Sequence, residues 1–295
     1  MAASLNATVL VESAPAKVNL TLRVLRRRAD GYHDLQSLVV FAGCSDRLSL
    51  TPGGVLALTV DGPRAAFAGE TADNLVLKAA RALKERVPSI ACGRFHLEKN
   101  LPVAAGLGGG SADAAAALRL LARANAIAPL DPRLYAAAGA IGADVPVCLD
   151  PRPRLMHGIG EQLSKPIALP PLPAVLVNPG VAVATKLVFA GWKPAVGTGV
   201  DFDIPALAKL SSVEQLSQHL LAQSNDLEAP AVTIAPVIAD TLAALRALAG
   251  CRLARMSGSG ATCFGLFSSV AEAAAAARIL SINHPNWWVC DTTLG

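Results

Sequence analysis

The sequence predicts an α+β fold in two domains. Its 295 residues suit one large domain or two ordinary ones. Strand-like segments come first, helical patterns follow, and the second half mixes both again, which is typical of α+β folds. Six prolines fall between residues 151 and 173, a density typical of a crossing between domains. We therefore predict an N-terminal domain over residues 1–165 and a C-terminal domain over residues 166–295.

Apolar periodicity predicts the elements of the first domain in order. Partial alternation of apolar residues predicts a strand over 16–24. Helical spacing is strongest in the Ala-rich segment after residue 110, and Pro88 ends an earlier helix. The predicted strands are 16–24, 38–41, 47–50, 55–60 and 94–98, and the predicted helices are 74–87, 111–125 and 132–141.

The second domain is predicted to mix the two kinds of element around its own core. Short apolar runs predict strands over 174–178 and 263–267. Helical spacing predicts helices over 213–221, 236–248 and 270–280.

Composition excludes several classes of protein. The net charge is +4 and aromatic residues make up only 4%, which argues against a nucleic-acid binder. Apolar residues reach 53%, but charged residues interrupt the Ala-rich stretch 112–129, so no membrane span is predicted. None of the six cysteines forms a C-x-x-C pair, so no metal site is expected. The N-terminus shows no export signal, and we expect a cytoplasmic protein.

The most informative segment is a glycine-rich loop between a predicted strand and the strongest predicted helix. Glycines at 106, 108, 109 and 110 allow close approach of the backbone to a ligand. The following helix offers unpaired N–H groups and the positive end of its dipole, which together suit a phosphate. Ser111 occupies a position suited to an N-cap. The loop lacks the Gly-Lys-Ser/Thr of a P-loop and the third glycine of a dinucleotide fingerprint; a flexible turn is the alternative.

Three further segments carry polar side chains, and each of them has two possible interpretations. Lys17 and Asn19 share one face of a strand, as functional groups or as the polar face of an edge strand. Tyr32 and His33 follow a turn at Asp30-Gly31, and they suit a nucleobase site or a structural pair equally well. Asp144 follows a helix and is a general base or a cap, and the residue alone favours the cap.

A second loop of small residues, 255–262, precedes an apolar strand. It contains three hydroxyl groups and two glycines, and its alternative interpretation is a hairpin turn.

These segments occur in one order: Pro-Ala-Lys-x-Asn-Leu, Leu-Gly-Gly-Gly-Ser, Gly-Ala-Asp-Val-Pro and Met-Ser-Gly-Ser-Gly-Ala. The ordered set resembles the GHMP small-molecule kinases, and the resemblance covers about residues 15–267. It implies an N-terminal domain like ribosomal protein S5 domain 2, a ferredoxin-like C-terminal domain, and an active site between them.

The added segment Arg-x-Asp-Gly-Tyr-His narrows the resemblance to kinases with a cytidine-bearing acceptor. The implied reaction moves the γ-phosphoryl of ATP, bound as Mg-ATP with Mg²⁺, to the 2-hydroxyl of a methylerythritol unit carrying cytidine diphosphate. This step belongs to the non-mevalonate pathway to isoprenoids. The expected partner is thus a small molecule, with no nucleic acid and no membrane, for a monomer or weak homodimer.

The resemblance also implies roles for individual residues. Lys17 and Asp144 become the catalytic pair, and Asn19 lines the same site. Tyr32 and His33 would hold the cytidine ring. Weaker matches place Thr185 near the substrate and Gly260 near the phosphates, and both are taken as substrate-binding. The ATP-binding residues would be Asn74, Lys99, Pro102, Val103, Ala104, Ala105, Gly106, Leu107, Gly108, Gly109, Gly110, Ser111 and Ala112.

The sequence departs from the family pattern at one position, and two alternative functions remain. The family loop often continues Gly-Ser-Ser-Asp, whereas this chain has Ala112, which removes one hydroxyl but leaves the backbone cradle. The first alternative is another GHMP kinase with a mevalonate-type or homoserine-type acceptor. The second is a non-catalytic nucleotide-binding relative, against which the presence of both Lys17 and Asp144 argues.

Overall fold

Contacts within the chain define two units in the computed structural model, which describes residues 8–193 and 204–295. The first unit comprises residues 1–15, 45–103 and 109–150, and the second comprises 16–44, 104–108 and 151–295. The units interleave along the chain, whereas the sequence predicts a single boundary at 165/166. That boundary stays a prediction.

Three strands form the sheet of the first unit. The end of β3 (His33–Pro52) pairs antiparallel with β5 (Gly93–Glu98), and β4 (Ala57–Asp61) pairs parallel with β5. Along β5 the side chains alternate between buried and exposed, as expected for a sheet with one face on the core. The start of β1 (Leu10–Asn19) also belongs to this unit.

The helices of the first unit are α1 (Leu75–Arg86), α2 (Gly109–Ala124), α3 (Pro132–Ile141) and the short α4 (Val145–Cys148). The Asn74 side chain caps α1 by accepting the N–H of Val76 at 2.9 Å. Asp131 caps α3 in the same way, with Pro132 in the first turn. α2 buries a face that is apolar except for Asp113, and it packs against the other three helices.

The second unit contains an antiparallel sheet. β11 (Trp288–Leu294), β8 (Leu172–Asn178), β10 (Cys263–Leu266) and β9 (Leu253–Met256) lie side by side in that order. β2 (Arg23–Arg27) and β6 (Arg154–Gly158) both pair with the start of β3, and the two-residue β7 (Gln162–Leu163) pairs with β6. The end of β11 joins β3 at Leu294 and Ala42.

The described residues of the second unit also form the helices α5 (Thr185–Gly191), α6 (Ile204–Leu207), α7 (Val213–Leu221), α8 (Glu228–Ile234), α9 (Val237–Arg246) and α10 (Val270–Asn283). One face of this antiparallel sheet and the buried faces of α8, α9 and α10 share an apolar core that includes Val177, Leu242 and Phe267.

Most predicted elements appear within a few residues of their predicted bounds, with two corrections. The strands predicted over 38–41 and 47–50 are parts of one strand, β3. The strand predicted over 16–24 is broken after Asn19, because the backbone of Leu22 bonds to Ser224 and Asp226 instead of continuing a ladder. The strands β6, β7, β9 and β11 and the helices α4, α5, α6 and α8 were not predicted.

Candidate active site

Lys17 and Asn19 lie on one face of β1, as the strand period predicts. The Lys17 Nζ donates to Asn19 Oδ1 at 3.0 Å, and both residues are buried. Asn19 Nδ2 in turn donates to Ser37 Oγ at 2.7 Å, and Ser37 donates to the carbonyl of Thr21 at 2.5 Å. The chain of bonds fixes the orientation of the amide, so that its oxygen is the atom that meets the ammonium.

Part of the glycine-rich loop, residues 104–108, packs against the second small-residue loop within the second unit. Ser257 Oγ accepts the Asn19 N–H at 3.1 Å and donates to the Gly106 carbonyl at 3.0 Å. Gly106 has φ +75°, and a Cβ there would lie 2.4 Å from the Ser257 carbonyl oxygen. Glycine is therefore required at 106 for two separate reasons. The loop 257–262 connects β9 to β10, so the hairpin interpretation of this segment is correct.

Gly108 brings the loop onto the stem of Lys17. It has φ +61°, and an added Cβ would lie 3.0 Å from Lys17 Cε. The Lys17 N–H also donates to the Leu107 carbonyl at 2.8 Å. Backbone of the glycine-rich loop and the Lys17 side chain are thus held next to each other.

The remainder of the loop leads directly into α2. This helix begins at Gly109, two residues before the predicted start, so Ser111 lies inside the first turn and is not an N-cap. A Cβ on Gly110 would lie 3.3 Å from Leu75, so the first turn of α2 passes close to the start of α1. Ala112 is buried, so its position faces the core.

Asn74 and Lys99 have structural contacts of their own in the first unit. The Asn74 side chain caps α1. The Lys99 ammonium is only 5% exposed and forms ion pairs with Asp46 and, at 2.6 Å, with Asp113. Burial lowers the pKa of Lys99, but the two carboxylates offset burial and raise it overall.

Asp144 occupies the N-cap position of α4, yet its side chain makes no capping hydrogen bond. The residue is half-buried and lies in the first unit, whereas Lys17 lies in the second. The cap interpretation is therefore not supported at α4.

His33 lies in an aromatic cluster that the sequence motifs did not reveal. Its ring stacks on Phe189, with centroids 4.9 Å apart, and meets the edge of Trp192 at 5.7 Å. Burial lowers the pKa of His33, and the charge of Arg27 lowers it further, so the ring is neutral at neutral pH. Tyr32, the preceding residue, is 59% exposed and follows the turn at Gly31, which has φ +88°.

α5 connects this cluster to the small-residue loop. Thr185, its first residue, has Oγ1 2.8 Å from Ser259 Oγ, next to Gly260. Phe189 lies one turn further along the same helix face. The second unit therefore contains two sets of predicted residues. Lys17, Asn19 and Gly106 lie together in the first set, and α5 links His33 and Thr185 in the second. Ser37, Ser257, Phe189 and Trp192 are the additions, and no sequence motif singled out the last two.

A cavity of about 430 Å³ lies elsewhere in the second unit. Its lining includes Glu228, Arg246, Arg252 and Arg255, and none of the predicted site residues. The buried Arg255 guanidinium donates to the carbonyls of Leu20, Leu220 and Gln223, which gives it a structural role.

Comparison with known families identifies both halves of the chain. The model of the GHMP kinases N terminal domain matches residues 74–150, and that of the GHMP kinases C terminal matches residues 203–286. The chain belongs to the GHMP kinase family. This confirms the resemblance drawn from the ordered motifs, and membership implies ATP-dependent phosphoryl transfer to a small molecule.

Relatives narrow the place of this GHMP kinase within the family. It is 58% identical to the 4-diphosphocytidyl-2-C-methyl-D-erythritol kinase of Methylobacterium radiotolerans, over 97% of this chain and 99% of that protein. It is 57% identical to the enzyme of the same name from Rhodopseudomonas palustris, over 96% of this chain and 97% of that one.

Solved structures confirm the two-domain α+β fold of this GHMP kinase. A crystal structure of 4-(cytidine 5'-diphospho)-2C-methyl-D-erythritol kinase matches with a TM-score of 0.78 and 37% identity, over 97% of this chain and 99% of that chain. Homoserine kinase from Cytophaga hutchinsonii matches with a TM-score of 0.70 and 19% identity, over 100% of this chain and 96% of that chain, and shows the fold alone.

None of the helices in residues 8–193 and 204–295 has the length and apolar character that a bilayer crossing requires. That part of the chain also holds no grouping of three or more His, Cys, Asp or Glu side chains suited to a metal ion.

Proposed function

We propose that this chain transfers the γ-phosphoryl group of ATP to the 2-hydroxyl of 4-diphosphocytidyl-2-C-methyl-D-erythritol, in the non-mevalonate route to isoprenoid precursors. The observation that carries the proposal is 58% identity, over 97% of the chain, to a kinase of that name. The resemblance carried by the ordered sequence motifs implies the same reaction.

In this proposal Asp144 is the general base. The substrate hydroxyl oxygen attacks the γ-phosphorus, its proton passes to the carboxylate, and ADP leaves with the electrons of the broken P–O bond. Asp144 lies in the Gly-Ala-Asp-Val-Pro segment, one of the ordered motifs of the GHMP kinase family to which the chain belongs, and this supports the role.

Lys17 supplies positive charge for the transferring phosphoryl group. Asn19 and Ser37 hold its ammonium, since the amide oxygen accepts from Nζ at 3.0 Å. A preorganised cation stabilises charge that develops in the transition state more effectively than a mobile one.

The segment 102–112 binds the phosphates of ATP through backbone N–H groups and the start of α2. Positive φ at Gly106 and Gly108 supports this role, because the backbone follows a course there that side chains would obstruct. Asn74 and Lys99 flank the nucleotide. Mg²⁺ enters with ATP as part of that substrate, bound by phosphate oxygens and water.

The cytidine ring is bound by Tyr32 and His33, and we add Phe189 as a stacking surface. A neutral imidazole offers both a donor and an acceptor to the edge of cytosine. Thr185 and Gly260, at the start of α5 and in the adjoining loop, contact the remainder of the acceptor. This cluster favours a cytidine acceptor over mevalonate or homoserine, because those molecules have no aromatic ring to stack.

The test compares acceptors in a coupled assay of ADP release. We expect turnover with 4-diphosphocytidyl-2-C-methyl-D-erythritol and Mg-ATP, and very poor turnover with 2-C-methylerythritol 4-phosphate, mevalonate or homoserine. Turnover of mevalonate or homoserine as good as that of the cytidine substrate would contradict the proposal. Binding of ATP without any turnover would indicate the non-catalytic alternative.

A further inference from the structure

Three charged side chains form a closed group in the interior of the first unit. Asp46 at the end of β3, Lys99 after β5 and Asp113 on α2 have side chains that are 0%, 5% and 4% exposed. Asp46 Oδ1 accepts the N–H groups of Asn100 at 2.6 Å and Leu101 at 2.8 Å. Lys99 Nζ donates to the other Asp46 oxygen and to Asp113 Oδ2. We refer to Asp46, Lys99 and Asp113 as the buried triad.

The buried triad lies against the first residue of α2. A Cβ on Gly109 would be 3.4 Å from Lys99 Nζ and 3.7 Å from Asp46 Oδ2. Asp113 is one turn further along the same helix. The triad therefore fixes both ends of the glycine-rich loop, since Asn100 and Leu101 precede the loop and Gly109 ends it.

The charge of the buried triad depends on Asp113. Lys99 and Asp46 balance each other, so an ionised Asp113 leaves one net negative charge, whereas a protonated one leaves none. Within the described residues Asp113 Oδ1 has no hydrogen-bond partner, so nothing compensates its charge on that side. Burial and the Asp46 charge raise the pKa of Asp113, and Lys99 only partly opposes them, giving a value of about 7.

Other elements packed against α2 add no charge that acts on Asp113. The buried residues of α1, α3 and α4 are apolar except for the thiol of Cys148. The carboxylate of Glu12 on β1 pairs with Arg119 and Arg123, further along α2. Lys99 and Asp46 are thus the charged groups that act on Asp113 in the part of the chain that the structure describes.

We propose that the buried triad is a set of positioning residues for the phosphate loop, and that protonation of Asp113 strengthens the binding of ATP. The proposal rests on the proposed function of segment 102–112. A negative charge just behind the start of α2 opposes the helix dipole that attracts phosphate, and its neutralisation removes that opposition. Lys99 then acts on ATP through the loop, by holding it, and does not need to touch the nucleotide.

The test measures the dissociation constant of a non-hydrolysable ATP analogue by calorimetry at about pH 6 and about pH 8.5, on either side of the Asp113 pKa. Asp113→Asn keeps the shape of the side chain and stays neutral at both values. We expect the parent to bind about threefold to tenfold more weakly than Asp113→Asn at the higher pH, and about equally at the lower one. The control is Glu85→Gln, an exposed carboxylate on α1 of the same unit, which should follow the parent.

The parent should also take up protons when the analogue binds near pH 7, and Asp113→Asn should not. Proton uptake is read from binding enthalpies in two buffers of different ionisation enthalpy. Titration of the analogue itself is common to all variants and cancels in the comparison. A ratio of dissociation constants that does not change with pH would overturn the proposal and leave the triad a purely structural feature.

Lys99 variants test the positioning role. Lys99→Met leaves two buried carboxylates without a cation, so we expect weaker analogue binding, and Lys99→Arg should restore part of it. The double variant Lys99→Met/Asp113→Asn removes one opposing charge as well, and should bind better than Lys99→Met alone. Because no acceptor is used, a chain that binds the analogue but phosphorylates no cytidine substrate would contradict the proposed function without affecting this result.

Discussion

Replacing Asp144 by asparagine keeps the shape of the side chain and removes its capacity to take a proton. Loss of a general base costs on the order of 10²–10⁴ in rate. We expect kcat to fall by that factor in steady-state assays, with binding of an ATP analogue unchanged, because the phosphates rest on the glycine-rich loop. A fall of less than about tenfold would show that Asp144 is not the base.

His33 tests the choice of acceptor. His33→Ala removes a neutral ring that stacks on Phe189 at 4.9 Å and leaves the cytosine edge without its partner. An unpaired buried polar group costs about 1–3 kcal/mol, so kcat/KM for the cytidine substrate should fall accordingly. The residual reaction with 2-C-methylerythritol 4-phosphate should not change.

The matched control for His33 is His96→Ala, which removes an imidazole 49% exposed on the first unit. We expect its kcat/KM to equal that of the parent for both acceptors. Equal losses on both acceptors in His33→Ala would mean that the ring is structural, and the acceptor assignment would then rest on similarity alone.

At the level of elements, we expect replacement of glycine by alanine to have opposite effects on stability at two positions. Gly106→Ala places a Cβ 2.4 Å from a carbonyl oxygen at positive φ, whereas Gly139 lies inside α3 with nothing within 4 Å of an added Cβ. We expect Gly106→Ala to lower the free energy of unfolding by at least about 1–2 kcal/mol. Gly139→Ala should raise it by about 0.5–1 kcal/mol. Urea denaturation measures both, and an unchanged midpoint for Gly106→Ala would contradict the described loop.

Local sequence patterns predicted a helix or strand correctly where the residues that pack in the structure follow the apolar periodicity of the sequence. The helices α3 and α7 have the bounds that helical spacing predicted, and the side chains of Asp131 and Ser212 cap them. β9 was hidden because Arg255, although on a strand, is buried through bonds to three carbonyls, which no alternation reveals. The break in the first strand was equally hidden, since Leu22 bonds to residues some 200 positions away in the chain.

The residues of the candidate site also divide into those that the sequence predicted and those that only the folded structure shows. Lys17, Asn19 and the glycine-rich loop were predicted because their chemistry lies in short, contiguous motifs. Phe189 was missed because its relation to His33 exists only after α5 folds against the turn at Gly31. The triad was missed for a similar reason: Asp46, Lys99 and Asp113 belong to three separate elements, and only their burial shows that they act together.

On the scale of the whole molecule, the residues proposed for the reaction come from different parts of the chain. Lys17, His33 and Thr185 belong to the second unit, and Asp144 belongs to the first. Residues so far apart in sequence serve one reaction only if they stabilise the same transition state. That requirement can be measured without any assumption about distances.

The last prediction is therefore a double-mutant cycle between Lys17→Met and Asp144→Asn. If both residues act on the transferring phosphoryl group, each single variant already loses most of the catalysis that they supply together. The double variant should then be little slower than the slower single variant, as is found for catalytic residues that act as a unit. Single-turnover rates at saturating substrates measure the chemical step directly. Asp144→Asn combined with His33→Ala is the reference pair, and its losses are measured in kcat/KM. Because one residue serves chemistry and the other serves acceptor binding, their losses should add. Additive losses for Lys17 and Asp144 would instead assign them to separate steps and contradict the proposed pair.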